Sequence, residues 1–242
     1  VASGTADIKS KALDAKFVAG AVPLGVFNPD VQGTLFAKGN VKGTLNRPKY
    51  DAHVEVYGTQ YKEISAPLLV ANIEGDRDIL KFHSLNASSG TGKLSANGEV
   101  AFRTEQITGN FSGENLSLSD WFGEDVLGTV ALTNGTVSGT LSQPRISGRV
   151  KGQKVYAYGS AVDGFEALLT TDLKELTLSE ASVMVGTGTL SGTGRFAFDS
   201  QTGSVAVIAK DVPLDRVLRP GPEIALLGTA NGTFNAKLLV SG

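Results

Sequence analysis

Leu94, Ala96, Gly98, Val100 and Phe102 alternate with Lys93, Ser95, Asn97, Glu99 and Arg103, giving this stretch one apolar and one wet face at the two-residue period of a β-strand. Leu190, Gly192, Gly194, Phe196 and Phe198 alternate in the same way with Thr189, Ser191, Thr193, Arg195 and Asp199. Tyr50, Ala52, Val54 and Val56 stand against Asp51, His53 and Glu55, and Ile146, Gly148, Val150 and Gly152 against Ser147, Arg149 and Lys151. A slip of one residue would exchange the two faces, so the pattern specifies register. Further strands are expected near 31–36, 155–158, 173–178 and 204–209.

Helical periodicity is confined to single turns. Leu118, Trp121 and Phe122 fall at i, i+3, i+4, as do Leu214, Val217 and Leu218, and Leu24 and Phe27 fall at i, i+3. Ser117, Pro213 and Pro23 precede them, where a Ser cap or a first-turn Pro is suitable. Arg219-Pro220-Gly221-Pro222 then prevents continuation. Two roles stand open for Leu118, Trp121, Phe122, Leu214, Val217 and Leu218: filling space between sheet layers, or plugging an interior.

The patterns recur. Val41-x-Gly43-Thr44-Leu45-x-x-Pro48 returns as Val137-x-Gly139-Thr140-Leu141-x-x-Pro144, a shift of 96 residues (137 minus 41) that also relates Gly90 to Gly186, Leu94 to Leu190 and Phe102 to Phe198. Copying over such a length marks a duplicated supersecondary unit. The expected organisation is the end of a preceding repeat at 1–39, one repeat at 40–135, a second at 136–230 and the start of another at 231–242. All belong to one continuous structural domain, an excerpt of a longer array.

Composition sharpens the picture in three places. Thirty Gly in 242 residues, with 41% hydrophobic and 7% aromatic residues, suit many short strands and tight turns. Gly90, Gly92, Gly98, Gly188, Gly192 and Gly194 add no side-chain volume to an apolar face, which suggests a sheet that curls around a narrow interior, either packed or open as a trough. A formal net charge of −2 without a basic cluster gives no reason to expect nucleic acid. Zero Cys excludes disulfides, thiolate metal sites and a Cys nucleophile.

The one constellation with metal or acid/base chemistry in its residue types is Asp51, His53 and Glu55. Its repeat counterparts Ser147, Arg149 and Lys151 cannot ligate a cation, so the trio reads as a solvated face. His83 aligns with Ser179 and lacks a second His. No catalytic residue, cofactor or metal site is expected, and the chain is not read as an enzyme.

Three motifs carry a resemblance: Gly-Thr-Leu-x-x-Pro-[Arg/Lys]-[Ile/Tyr] at 43–50 and 139–146, Gly-Thr-Gly-x-Leu-Ser-x-x-Gly at 90–98 and 186–194, and Val-Pro-Leu at 22–24 and 212–214. In that order and spacing the chain resembles the repeat region of the TamB family, within the AsmA-like group. The resemblance implies a long curled antiparallel sheet, a β-taco, with an apolar concave groove. It implies an inner-membrane-anchored protein in the periplasm of a diderm bacterium. Its implied role is bridge-like transport of phospholipid to the outer membrane, or assistance to outer-membrane protein assembly with a barrel partner of the TamA/BamA type. The membrane anchor and the barrel-docking end are not among the residues here, which leaves the groove as the part this chain would carry.

Leu94, Val100, Phe102, Leu190, Phe196, Phe198, Val54 and Val150 are then the expected groove lining. Two other readings compete. A structural or adhesive β-repeat would have a filled core and no affinity for lipid. A carbohydrate-active β-protein would need paired carboxylates on a concave face, whereas the acidic residues here fall on wet faces and in turns such as Glu124-Asp125.

Overall fold

The computed structural model of the chain describes residues 1–7, 9, 11–61, 64–122, 126–157, 160–213 and 229–239. They form fifteen strands: β1 (Ala2–Ala6), β2 (Ala12–Pro23), β3 (Val31–Thr44), β4 (Arg47–Tyr61), β5 (Ile64–Gly75), β6 (Ile79–Ser89), β7 (Gly92–Ala101), β8 (Gln106–Ser117), β9 (Val126–Gly139), β10 (Pro144–Ala157), β11 (Ser160–Thr171), β12 (Glu175–Val185), β13 (Gly188–Ala197), β14 (Thr202–Pro213) and β15 (Thr229–Leu239). Strand order equals chain order in one antiparallel sheet that is not closed into a barrel. The all-β expectation therefore holds. The helical turns expected at Leu24 and Leu118 are a 3-10 turn, Leu24–Val26, and a single α-turn, α1, Ser119–Phe122. The third turn, with Leu214, Val217 and Leu218, lies outside the described residues, as does Tyr158.

The chain divides into two compact units, one of Val1–Glu114 with Val137–Ser142 and one of Asn115–Thr136 with Gln143–Gly242. In the first, register aligns the alternating positions into continuous cross-strand rows. Ala2, Phe17, Gly39, Ala52, Ile73, Phe82, Gly98 and Gly109 stand opposite one another in succession. So do Val22, Leu35, Val56, Leu69, Ala87, Leu94 and Gly113. Between the apolar rows the other face carries Lys16, Asn40, Asp51, Glu74, Lys81, Glu99 and Thr108.

The second unit has the same two-faced construction. Gly148, Leu169, Leu178, Gly194 and Val205 form one apolar row, and Phe165, Val183, Leu190 and Ala209 another. On its wet face Arg149 bridges Glu166 at 3.1 Å and also contacts Glu180, while Lys151 reaches Glu166 at 3.7 Å. Exposed pairs of this kind set register and solubility more than stability.

Several glycines in the rows mark close backbone approach rather than a turn. A Cβ on Gly39 would run into the Asp51 carbonyl and the Ala52 backbone of the neighbouring strand, whereas one on Gly20 meets open space. Gly39→Val should cost about 1–3 kcal/mol through forced displacement of β4, while Gly20→Ala should stay within about 0.5 kcal/mol. Urea midpoints of the two variants check the contrast.

The hairpin turns after β5 and β11 are closed by carboxylates. Asp76 accepts from the Asp78 and Ile79 amides at 2.8 and 3.0 Å, and Asp172 from the Lys174 and Glu175 amides at 3.0 and 2.9 Å. These donors hold both carboxyls below the usual aspartate range. A depressed folded value stabilises above the ordinary value of about 3.9 and is lost as pH falls through the folded one. Acidification below about pH 4 should therefore lower the urea midpoint, and more shallowly in the Asp76→Ala/Asp172→Ala variant. An unchanged acid limb in that variant would refute the assignment.

Candidate functional site: the apolar sheet face

Each predicted lining residue is placed by the ladder. Val54 stands between Ala37 and Ala71, Leu94 between Ala87 and Gly113, and Val100 between Leu80 and Ile107. Leu190 stands between Val183 and Ala209, Phe196 between Leu176 and Gly203, and Val150 opposite Ala167. All six are half-buried. Phe102 and Phe198 differ. The alternation predicts them as strand residues, but β7 ends at Ala101 and β13 at Ala197, so both rings sit in the following turns, 46% and 43% exposed. Their amides still extend the ladder, Phe102 donating to Asp78 O at 2.8 Å and Phe198 to Lys174 O at 2.9 Å. Phe198 packs edge-on against Phe196, with centroids 5.6 Å apart. Each residue stands at the rim of its own unit's face, just past the end of its strand.

The face carries almost no polar chemistry. In the first unit its one polar atom within the Ala15, Val41, Tyr50, Gly75, Leu80, Val100, Ile107 row is the Tyr50 hydroxyl. Burial, then the nearby Asp76 charge, raises that phenol above its usual range, so it stays neutral. Few of the apolar side chains are fully hidden. The first unit buries Ala52, Val56 and Ala71, among the smallest available, and no polar or charged side chain is buried among the described residues.

The second unit holds two small packed clusters. Leu118, one of the plug candidates, is 7% exposed and packs with Val126, Val130 and Val155, flanked by Leu116, Val150, Val162 and Phe165. Val185, Ala209 and Val212 form the other, flanked by Val183 and Leu190. Val150 and Leu190 thus serve as walls of packed clusters as well as members of apolar rows. The side chains of Trp121 and Phe122 lie outside the description, as do Leu214, Val217 and Leu218.

On the wet face two of the Asp51, His53, Glu55 trio meet and the third is engaged elsewhere. His53 lies 2.9 Å from Asn72 through Nδ1 and 3.1 Å from Glu55 through Nε2, and Asp51 accepts from Asn40 at 2.8 Å. His83 pairs with Glu74 at 2.9 Å. Among the described residues no group of three His, Asp or Glu is placed to hold a metal ion, and no helix is long and apolar enough to cross a membrane.

Several residues of the face escape the alternation rule, among them Phe82 and Leu85 in β6 and Leu178 and Ala181 in β12. Each pair brackets a register shift. A bulge inserts an unpaired residue, so the inward positions change from even to odd numbers partway along the strand. In β12 the bulge residue Glu180 adopts φ 51°. A parity change at a fixed place was the available signal: Leu80 and Phe82 are even, Leu85 and Ala87 odd.

No known protein family, curated protein or solved structure matches the chain.

Leu118→Ala should cost about 2–5 kcal/mol, because the emptied site is bounded by strands that cannot collapse freely. Phe102→Ala, at a half-exposed rim, should cost within about 1 kcal/mol. Urea denaturation distinguishes a packed turn from a rim on this scale.

Proposed function

We propose that the chain is a segment of a lipid conduit, in which the apolar sheet face carries phospholipid acyl chains between the inner and outer membranes of a diderm bacterium. The carrying observation is the set of uninterrupted apolar rows across β1 to β8, backed by a wet opposite face; in these rows Ala52, Val56 and Ala71 are the buried apolar side chains among the described residues. A continuous apolar face whose side chains stay half-buried rather than packed is the kind of surface that binds a partner or ligand. An acyl chain gains about 0.8 kcal/mol per shielded methylene, so a chain of about sixteen would lose on the order of 12 kcal/mol on entering water. A sheet face that substitutes for the bilayer interior removes that barrier.

A tandem β-taco architecture, as in the TamB family, is the finer form of the same reading. It is supported by recurrence of the elements: β6 begins at Ile79 and β12 at Glu175, β8 at Gln106 and β14 at Thr202, each displaced by 96 residues (175 minus 79; 202 minus 106). The bulge bracketed by Phe82 and Leu85 recurs between Leu178 and Ala181. Left-handed backbone recurs at Glu105 and Gln201 and at Asn115 and Asp211. Assistance to outer-membrane protein assembly, with a barrel partner, belongs to this reading through parts beyond these residues. The packed clusters around Leu118 and Val212 favour the competing one, a structural repeat with a filled core, for the second unit.

Photo-crosslinkers at Leu94, Val100, Leu190 and Phe196 should capture phospholipid in cells, whereas those at Ser95, Glu99 and Thr193 should not. Equal lipid adducts from the two sets, or none from either together with no lipid co-purifying by mass spectrometry, would leave the filled repeat as the better account. Phe102→Asp or Phe198→Arg should reduce adducts at the inward set while leaving the urea midpoint nearly unchanged, since a rim charge reaches water.

A further inference from the structure

On the wet face of the first unit apolar side chains interrupt the polar pattern. Val18, Phe36 and Tyr57, 59%, 40% and 46% exposed, border an open depression of about 360 Å³. Its construction is local. β2 shifts register between Ala19 and Val22, and the bulge leaves Gly20, with no side chain, across from Phe36. Phe36 and Tyr57 then meet at 87° with ring centroids 5.7 Å apart, forming an aromatic corner.

A carboxylate is fixed beside that corner. Glu55 accepts from the Tyr57 hydroxyl at 2.6 Å and lies 3.1 Å from His53 Nε2, and His53 is itself oriented by Asn72 at 2.9 Å. The Tyr57 hydrogen bond, then the His53 one, holds the Glu55 carboxyl below the usual range, so it is ionised at neutral pH. Repetition does not require this arrangement. Counting 96 residues on (132 minus 36), Phe36, Glu55 and Tyr57 become Leu132, Lys151 and Gln153. The duplicated scaffold folds without the corner, which separates the corner from the architecture.

We propose that this corner binds an organic cation, an ammonium or guanidinium group on an apolar stem. An aromatic ring face attracts a cation through its quadrupole, and the adjacent fixed carboxylate adds a charge-assisted hydrogen bond. The depression lies within the size range of small-ligand sites. Either a free amine or a lysine or arginine side chain of a peptide presents this chemistry. Lys38, at the edge of the depression, competes for the field of Glu55.

The test is an NMR titration of the whole chain with phenethylammonium, 2-phenylethanol and N-acetyl-lysine amide. Phenethylammonium should shift the Gly20 amide and the Phe36 and Tyr57 ring signals saturably. Glu55→Gln should weaken it about tenfold, and Lys38→Gln should tighten it. The neutral alcohol should bind no better than the amine binds to Glu55→Gln. Tighter binding of N-acetyl-lysine amide than of phenethylammonium assigns the site to a peptide, and the reverse order to a small amine. Absence of saturable shifts in the wild-type chain, or equal binding of alcohol and amine, overturns the proposal. Because Glu55→Gln keeps the shape of the side chain and the wild-type comparison needs no variant, a folding defect cannot mask the result.

Discussion

Antiparallel register is the constraint on which everything else rests. A residue opposite a given strand position shares its face, so eight strands paired in chain order turn local alternation into rows such as Val22, Leu35, Val56, Leu69, Ala87 and Leu94. Once those rows exist, one side of the first unit's sheet is apolar along them without any long-range specification. An ordinary sandwich would bury that side against a second sheet about 10 Å away. Here every strand among the described residues belongs to the same sheet, and its apolar residues remain largely half-buried.

This economy explains the residue choices. Glycine and alanine occupy many inward positions, and at Gly39, Gly98 and Gly192 a Cβ would collide with the neighbouring strand backbone. Small residues therefore buy close approach of strands at the expense of packed volume. Larger side chains enter where a bulge or a helical turn makes room, as at Leu118 with Val126, Val130 and Val155. The wet face is held differently, by exposed cross-strand ion pairs and hydrogen bonds such as Arg149 with Glu166 and Asn72 with Ser84. Such contacts weigh little in stability, which leaves this face open to local specialisation of the kind seen around Phe36 and Tyr57.

Much of the sheet was legible from alternation. The strands through Leu94 and Val100 and through Leu190 and Phe196 point as their periodicity required, and the short helical signals at Leu24 and Leu118 mark real turns. Phe102 and Phe198 show where periodicity overreaches. The pattern continues past Ala101 and Ala197, but the chain must turn, and alternation contains no term for strand length. The bulges in β6 and β12 hid Leu85, Ala87 and Ala181 for the opposite reason, because an extra residue inverts parity while the face itself is unchanged.

By itself the sequence determined the class of fold, the apolar face and the positions that recur, because side-chain period and turn chemistry act over a few residues. Only the tertiary structure decided which inward residues become packed and which stay half-exposed. It alone set Leu118 into a cluster and joined Gly20, Phe36, Glu55 and Tyr57 into one corner. Those outcomes depend on pairing between residues distant in the chain and on where a bulge removes a side chain from the facing strand, and neither is encoded in the period of any single strand.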